Sequence, residues 1–129
     1  MRLDDRTTAV IVGGAGGIGR GTALGLVDRG VRVVIADIEV DNADRVAAEL
    51  RDGGAEAIAA RVDATDEASL LELADTAEAR FGSIDLLCNN VGVVLDALLI
   101  ESTEQQWAWA LEFNVMSIVR ACRHIVPRI

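Results

Sequence analysis

Thr8-Ala9-Val10-Ile11-Val12-Gly13-Gly14-Ala15-Gly16-Gly17-Ile18-Gly19 runs a compact β-branched stretch directly into a glycine loop. A continuous apolar run of this length suits a strand buried on both faces, the hallmark of a parallel sheet. Ile18 to Arg29 then reads as a helix closed by Gly30, a residue that tolerates the left-handed position after a helix end. The same alternation continues outward. Val31–Ala36 predicts a second strand and Val40–Arg51 a helix, with Val46, Ala47 and Leu50 on one face. Ala57–Val62 predicts a third strand, followed by a helix capped by Thr65 or Asp66 and running to Arg80. That helix places Leu70, Leu71, Leu73, Ala74 and Ala77 on its inner side. Ile84–Cys88 is the fourth strand. Beyond Gly92, Ser102 or Thr103 can cap a last helix, with Gln105 or Gln106 as reciprocal partner, that runs to about Val126 before Pro127. Strand and helix alternating four times predict an α/β fold, a doubly wound parallel sheet with helices on both faces.

Composition narrows what such a domain can do. Of the 129 residues 51% are apolar, enough for a real core, and one domain is the expected content of this length. Twelve basic against twenty-one acidic residues give a net charge of −9, which argues against nucleic acid or an anionic membrane surface as a partner. All twelve basic residues are arginine, and there is no tyrosine. Any mechanism needing a tyrosine acid or a lysine amine is therefore closed to this chain alone. Cys88 and Cys122 sit in apolar segments without paired spacing, so two buried free thiols in a reducing compartment are expected rather than a disulfide or metal site. Two aspartates interrupt the N-terminus, and the longest apolar stretch, Val91–Ile100, is too short to span a bilayer. The expected setting is soluble and cytoplasmic.

The glycine loop is where chemistry first shows. Small residues between a strand and a helix let backbone approach a pyrophosphate, which sits where free N–H groups and the helix dipole favour an anion. Gly14, Gly16 and Gly19 satisfy G-x-G-x-x-G, while Gly13, Gly17 and Gly19 satisfy G-x-x-x-G-x-G, and both frames stay open. Alone, such a loop is also compatible with a tight turn that binds nothing. Asp37, however, ends the second strand eighteen residues after Gly19, close to the roughly 20 expected for an acid that binds a ribose hydroxyl pair. Loop, strand and acid in register predict dinucleotide binding. A carboxylate there would repel a 2′-phosphate, and Ile38-Glu39 offers no cation, so NAD is expected rather than NADP.

Four local motifs resemble the short-chain dehydrogenase/reductase family and span nearly the whole chain. Gly13-x-x-x-Gly17-Ile18-Gly19 is similar to the family's TGxxxGIG loop, with Val12 where threonine is usual. Asp63 in Val62-Asp63-Ala64-Thr65-Asp66 resembles the aspartate bordering the adenine pocket. Asn89-Asn90-Val91-Gly92 resembles NNAG, with Val91 for alanine. Asn114 in Glu112-Phe113-Asn114-Val115 resembles the helix asparagine of the catalytic tetrad. The resemblance implies a Rossmann-like fold truncated after its fifth helix, a single NAD(P)-binding domain over residues 1–129 that is incomplete at its C-terminus. It implies cofactor contacts at Gly13, Ala15, Gly17, Ile18, Gly19, Asp37, Asp63, Ala64, Asn89, Asn90 and Gly92, a catalytic role for Asn114 and no metal site. Local roles are open beside these: Asp63 as a helix cap, Asn89 and Asn90 as ties between loops, Asn114 bonded to backbone.

In that family, hydride moves between nicotinamide and an alcohol or carbonyl carbon, with a tyrosine moving the hydroxyl proton, a lysine lowering its pKa and a serine positioning the oxygen. The resemblance places those residues on later elements. Ser69, Ser83, Ser102 and Ser117 lie on the wrong elements to replace the serine, and His124 is about 15 Å along the helix from Asn114. Asp96 and Glu101 have no spacing beyond that of solvated loop charges. Two readings stand. One is the NAD(H)-binding part of a short-chain oxidoreductase acting on a small-molecule alcohol or carbonyl substrate; the other is a non-catalytic NAD-binding module. A methyltransferase of similar topology would share the loop and acid, but not Asn-Asn-x-Gly with Asn114.

The last helix carries two apolar stripes. Trp107, Leu111, Val115, Ile118, Cys122 and Ile125 form one, with Asn114 beside it; Trp109, Phe113 and Met116 form another. One stripe is expected on the sheet and the other against a partner, which predicts a homo-oligomer. The fourth strand is expected at an open sheet edge.

Overall fold

Every residue of β1 (Thr8–Val12) is buried, a burden only a central strand can carry. In the computed structural model, which describes residues 2–129, β1 lies between β2 (Arg32–Asp37) and β4 (Leu86–Asn89), with β3 (Ala57–Arg61) outside β2. The order is β3-β2-β1-β4, all parallel, with Val10 opposite both Val34 and Leu87. Side-chain alternation divides the core into two layers. Ala9, Ile11, Val33 and Ile35 meet α1 (Gly17–Val27) and α2 (Val40–Asp52) on one face. Val10, Val12, Val34 and Ala36 meet α3 (Glu67–Phe81) and α5 (Ser117–Ile125) on the other. The predicted doubly wound architecture is present, and β4 is an edge strand as expected.

Most local signals act as read. Gly30 follows α1 at φ +84, and Asp66 rather than Thr65 caps α3 by accepting from the Ala68 N–H. Thr103 and Gln106 complete a reciprocal capping box at α4 (Glu104–Leu111). β4 begins two residues later than predicted and ends at Asn89. Leu71, expected on the inner side of α3, is exposed, while Leu70, Leu73, Ala74 and Ala77 are buried.

The last helix departs most from expectation. A π turn (Glu112–Met116) separates α4 from α5, and a short 3₁₀ turn (Val126–Arg128) ends the chain. Its buried face is not the apolar stripe but Ala110, Ser117, Ala121 and Ile125. Of the expected inner stripe only Ile125 is buried; Trp107, Leu111, Val115, Ile118 and Cys122 are exposed, as are Trp109 and Met116 of the second. Small side chains let this helix approach the sheet closely, and the large ones are left outside. Cys122 is thus an exposed thiol, contrary to expectation, and Cys88 is half-buried, with burial pushing its pKa up. His124 is largely covered and lies 3.6 Å from Glu67 of α3. Glu67 also meets Arg123, and Arg128 meets Asp75 and Glu78. Such partly exposed pairs contribute about 0–1 kcal/mol each, so the fully buried Ile125 holds this helix more than they do.

Candidate functional site

Between β1 and β4 the strand order reverses direction, and at the carboxyl edge there a cleft of about 430 Å³ opens. In open α/β sheets this is where ligands bind. Gly13, Gly16, Asp37, Asp63, Ala64, Asn90 and Gly92 line it, joined by Ile38, Val62, Thr65, Val91, Val93 and Phe113.

Close packing shapes the loop. Gly13 adopts φ +73, and a Cβ there would stand 2.9 Å from the Asn90 carbonyl carbon and 3.0 Å from the Val91 nitrogen. Gly19 is buried beneath the loop, where a Cβ would collide with Gly13 and Gly14 backbone; Gly14 has no room either, against Ile11 and Ile35. Gly17 faces open space, and a Cβ at Gly16 would meet only the Gly13 carbonyl oxygen, at an ordinary contact distance of 3.9 Å. Both sequence frames therefore capture part of the geometry: 13, 14 and 19 are demanded by packing, 16 and 17 leave the approach clear. At the start of α1 no side chain caps the first turn and no acidic residue occupies it, so its N–H groups and dipole are free to meet an anion. Ile18, at this helix start, is 79% exposed.

Asp37 is tied to that loop. Its Oδ2 accepts from the Ala15 N–H at 3.1 Å and its Oδ1 from the Glu39 N–H at 3.1 Å, so the carboxylate is fixed while retaining acceptor capacity. Across the β2–β3 ladder its register partner is Arg61, an exposed cation that linear spacing conceals. Asp63 lies two residues beyond β3. Its Oδ1 accepts from both the hydroxyl and the N–H of Thr65, at 2.7 and 2.9 Å, and these bonds hold its pKa below the usual carboxylate range. Its own N–H donates to Ser69, and Asp66 takes the helix-cap role.

The opposite wall comes from β4. Asn89 Nδ2 reaches the Ser117 hydroxyl at 3.5 Å, and Asn89 Oδ1 and Asn90 Nδ2 are buried without hydrogen-bond partners. Asn114 spends its carboxamide on one residue: Oδ1 accepts from the Val93 N–H at 2.7 Å and Nδ2 donates to the Val93 carbonyl at 2.9 Å. A Cβ at Gly92 would lie 3.1 Å from Asn114 Oδ1, so glycine there gives the carboxamide its room. Asn114 thus stands behind the cleft wall, as do Asn89 and Ser117, whereas Ala15, Gly17 and Ile18 adjoin the cleft through the loop. Sequence reasoning missed Val93, Phe113 and Arg61, since only strand register and the return of the last helix bring them close. Among the described residues, no cluster of His, Cys, Asp or Glu is placed to hold a metal, and no helix is long and apolar enough to cross a membrane.

A glycine-lined switch-point cleft with an acid fixed at the end of the second strand defines a dinucleotide-type α/β domain. The chain belongs to the short chain dehydrogenase family, whose pattern it matches over residues 7–129. It is 41% identical over 117 residues to the cis-4-hydroxycyclohexanecarboxylate dehydrogenase of Sinomonas cyclohexanicum, covering 90% of this chain and 47% of that protein. A short chain dehydrogenase/reductase from Burkholderia phymatum, solved in complex with NAD, superposes with a TM-score of 0.92 at 36% identity, covering all of this chain and 46% of that one. The hydroxysteroid dehydrogenase of Escherichia coli gives a TM-score of 0.90 at 34% identity, covering 98% and 53%. The chain spans about half the length of the relatives it matches.

Proposed function

We propose that residues 1–129 form a single NAD(H)-binding unit of an oxidoreductase that passes hydride between a nicotinamide cofactor and a small-molecule alcohol or carbonyl compound. The observation that carries this reading is Asp37, bonded to the Ala15 N–H beside an uncapped helix N-terminus at the sheet's switch point. The chain's groups suit the dinucleotide: Gly16 and Gly17 clear space for the pyrophosphate, and Asp37 offers acceptors to ribose hydroxyls. Asp63, Ala64 and Val91 border the adenine end in this reading, while Asn90 and Gly92 line the facing wall with Asn89 behind them. The bound nicotinamide supplies the hydride chemistry. The carboxylate of Asp37 disfavours a 2′-phosphate, and Arg61 stands one strand farther out, which supports NAD over NADP. Asn114 contributes by holding Val93 rather than through a free carboxamide.

A second reading, a non-catalytic NAD-binding module, draws on the chain's having neither tyrosine nor lysine. Both readings use the same cleft and part only on turnover. We also infer a homo-oligomer assembled through the outer face of α4 and α5, supported by the exposure of Trp107, Trp109, Leu111, Val115 and Ile118. The free thiols fit a reducing, cytoplasmic setting. Calorimetric titration with NADH and NADPH tests the cofactor assignment. NADH should bind more tightly, and Asp37→Ala should weaken NADH and erase the preference. Equal affinities in the unaltered protein would overturn the role of Asp37, and Arg61→Ala would then show whether Arg61 holds the phosphate.

A further inference from the structure

The π turn has a chemical consequence at Ser117. An α-helix would pair the Ser117 N–H with the Phe113 carbonyl four residues back; here it reaches five back, to Glu112. The Phe113 carbonyl thereby loses its ordinary partner, and the Ser117 hydroxyl donates to it at 2.6 Å. Ser117 is fully buried, so its hydroxyl must find a partner inside the protein, and the Phe113 carbonyl freed by the wide turn supplies it. The same oxygen sits 3.5 Å from Asn89 Nδ2, at the outer limit of a hydrogen bond, and a hydroxyl can donate once while accepting elsewhere. One side chain therefore joins the last residue of β4 to the widened turn. Across that turn, the Glu112 and Arg120 side chains form an ion pair at 2.7 Å.

Turn width decides where Asn114 points. Each residue of an α-helix advances about 100° around the axis, so removing the extra residue would swing Asn114 off the line to Val93. Val93 and Phe113 both line the cleft, so the aim of Asn114 sets the shape of one wall.

We infer that Ser117 is a positioning residue: its hydroxyl substitutes for the backbone donor at the Phe113 carbonyl, keeps the π turn open, and so holds Asn114 on Val93 at the edge of the cofactor cleft. Its link to cofactor affinity rests on the NAD(H)-binding reading; its link to Val93 does not.

The test uses the full 129-residue chain, labelled with ¹⁵N, and four variants. Ser117→Ala removes the hydroxyl, Ser117→Cys keeps nearly the same volume with a weak donor, and Ser117→Thr restores a hydroxyl. Asn114→Ala provides the full loss of the Val93 bond. Exchange protection of the Val93 amide and NADH affinity are read together with thermal unfolding. In Ser117→Ala and Ser117→Cys both should fall roughly tenfold, the scale of one hydrogen bond, and Ser117→Thr should recover them. Should Ser117→Ala fail to fold, Ser117→Cys decides. Unchanged Val93 protection in Ser117→Cys, or a Ser117→Thr variant that loses as much as Ser117→Cys, overturns the inference. If the unaltered protein binds no NADH, the cofactor reading fails, and Val93 protection still decides the role of Ser117.

Discussion

Gly13 and Gly17 belong to one loop motif, yet alanine at the two positions should have opposite effects. Gly13 sits at φ +73, where an L side chain costs about 1–2 kcal/mol. A Cβ there meets backbone at 2.9–3.0 Å, in Asn90 and Val91, which cannot swing aside as a flexible side chain could. Overpacking of that kind adds about 1–3 kcal/mol. The lower entropy of the unfolded alanine chain offsets about 0.4–1 kcal/mol. Gly13→Ala should therefore destabilise by about 1–4.6 kcal/mol, at least roughly 3 °C in Tm for a chain of this size. Gly17 has nothing within 4 Å and lies in the first turn of α1. Alanine there should leave stability unchanged or raise it by up to about 1 kcal/mol. A helical Cβ leans toward the N-terminus, into the space assigned to the pyrophosphate. Gly17→Ala should thus weaken NADH binding by roughly 5- to 150-fold, the equivalent of ordinary overpacking. Thermal unfolding and NADH titration of both variants measure this. A Gly13→Ala protein as stable as the unaltered one, or a Gly17→Ala protein that binds NADH equally well, would refute the division between packing and ligand glycines.

Three further outcomes follow from the same geometry. Trp109→Glu should convert the assembly to monomer in sedimentation at micromolar concentration, and a stable monomer before mutation would contradict the oligomer. Asp63 has a folded pKa below its unfolded value, so its contribution to stability is complete above the ordinary carboxylate range and disappears as pH falls through the lower folded value. The urea-midpoint difference between the unaltered protein and Asp63→Asn should hold steady near neutrality and shrink as pH falls below the ordinary carboxylate range; a difference that does not change with pH would count against it. Lacking tyrosine and lysine, the 129-residue chain should oxidise no alcohol in an NAD-dependent assay; turnover surviving repurification, and abolished by a single substitution in this chain, would reveal an unrecognised acid.

The sheet and the glycine loop were legible because both are written in local chemistry. β-branched runs, Gly30 and the cap residues each act within a few positions, and Asp37 follows its loop at a spacing that one strand and one helix impose. The last helix was misread for a physical reason. Apolar periodicity finds large side chains, whereas the face that docks uses Ala110, Ser117 and Ala121 to come close. No residue pattern announced the π turn at Glu112–Met116, and a helix drawn straight through it misassigns the faces on either side. The Asn114–Val93 bonds and the Asp37–Arg61 pairing depend on chain return and strand register, which linear spacing does not encode.

The central claim, that the switch-point cleft holds NAD(H), is met most directly by titrating ¹⁵N-labelled protein with NADH and following each backbone amide. The account predicts saturable shifts concentrated at Ala15–Ile18, Asp37–Ile38, Asp63–Thr65 and Val91–Val93, with the opposite end of the sheet silent. Saturable shifts that cluster away from these segments, or a folded protein whose amides do not respond to NADH, would contradict it.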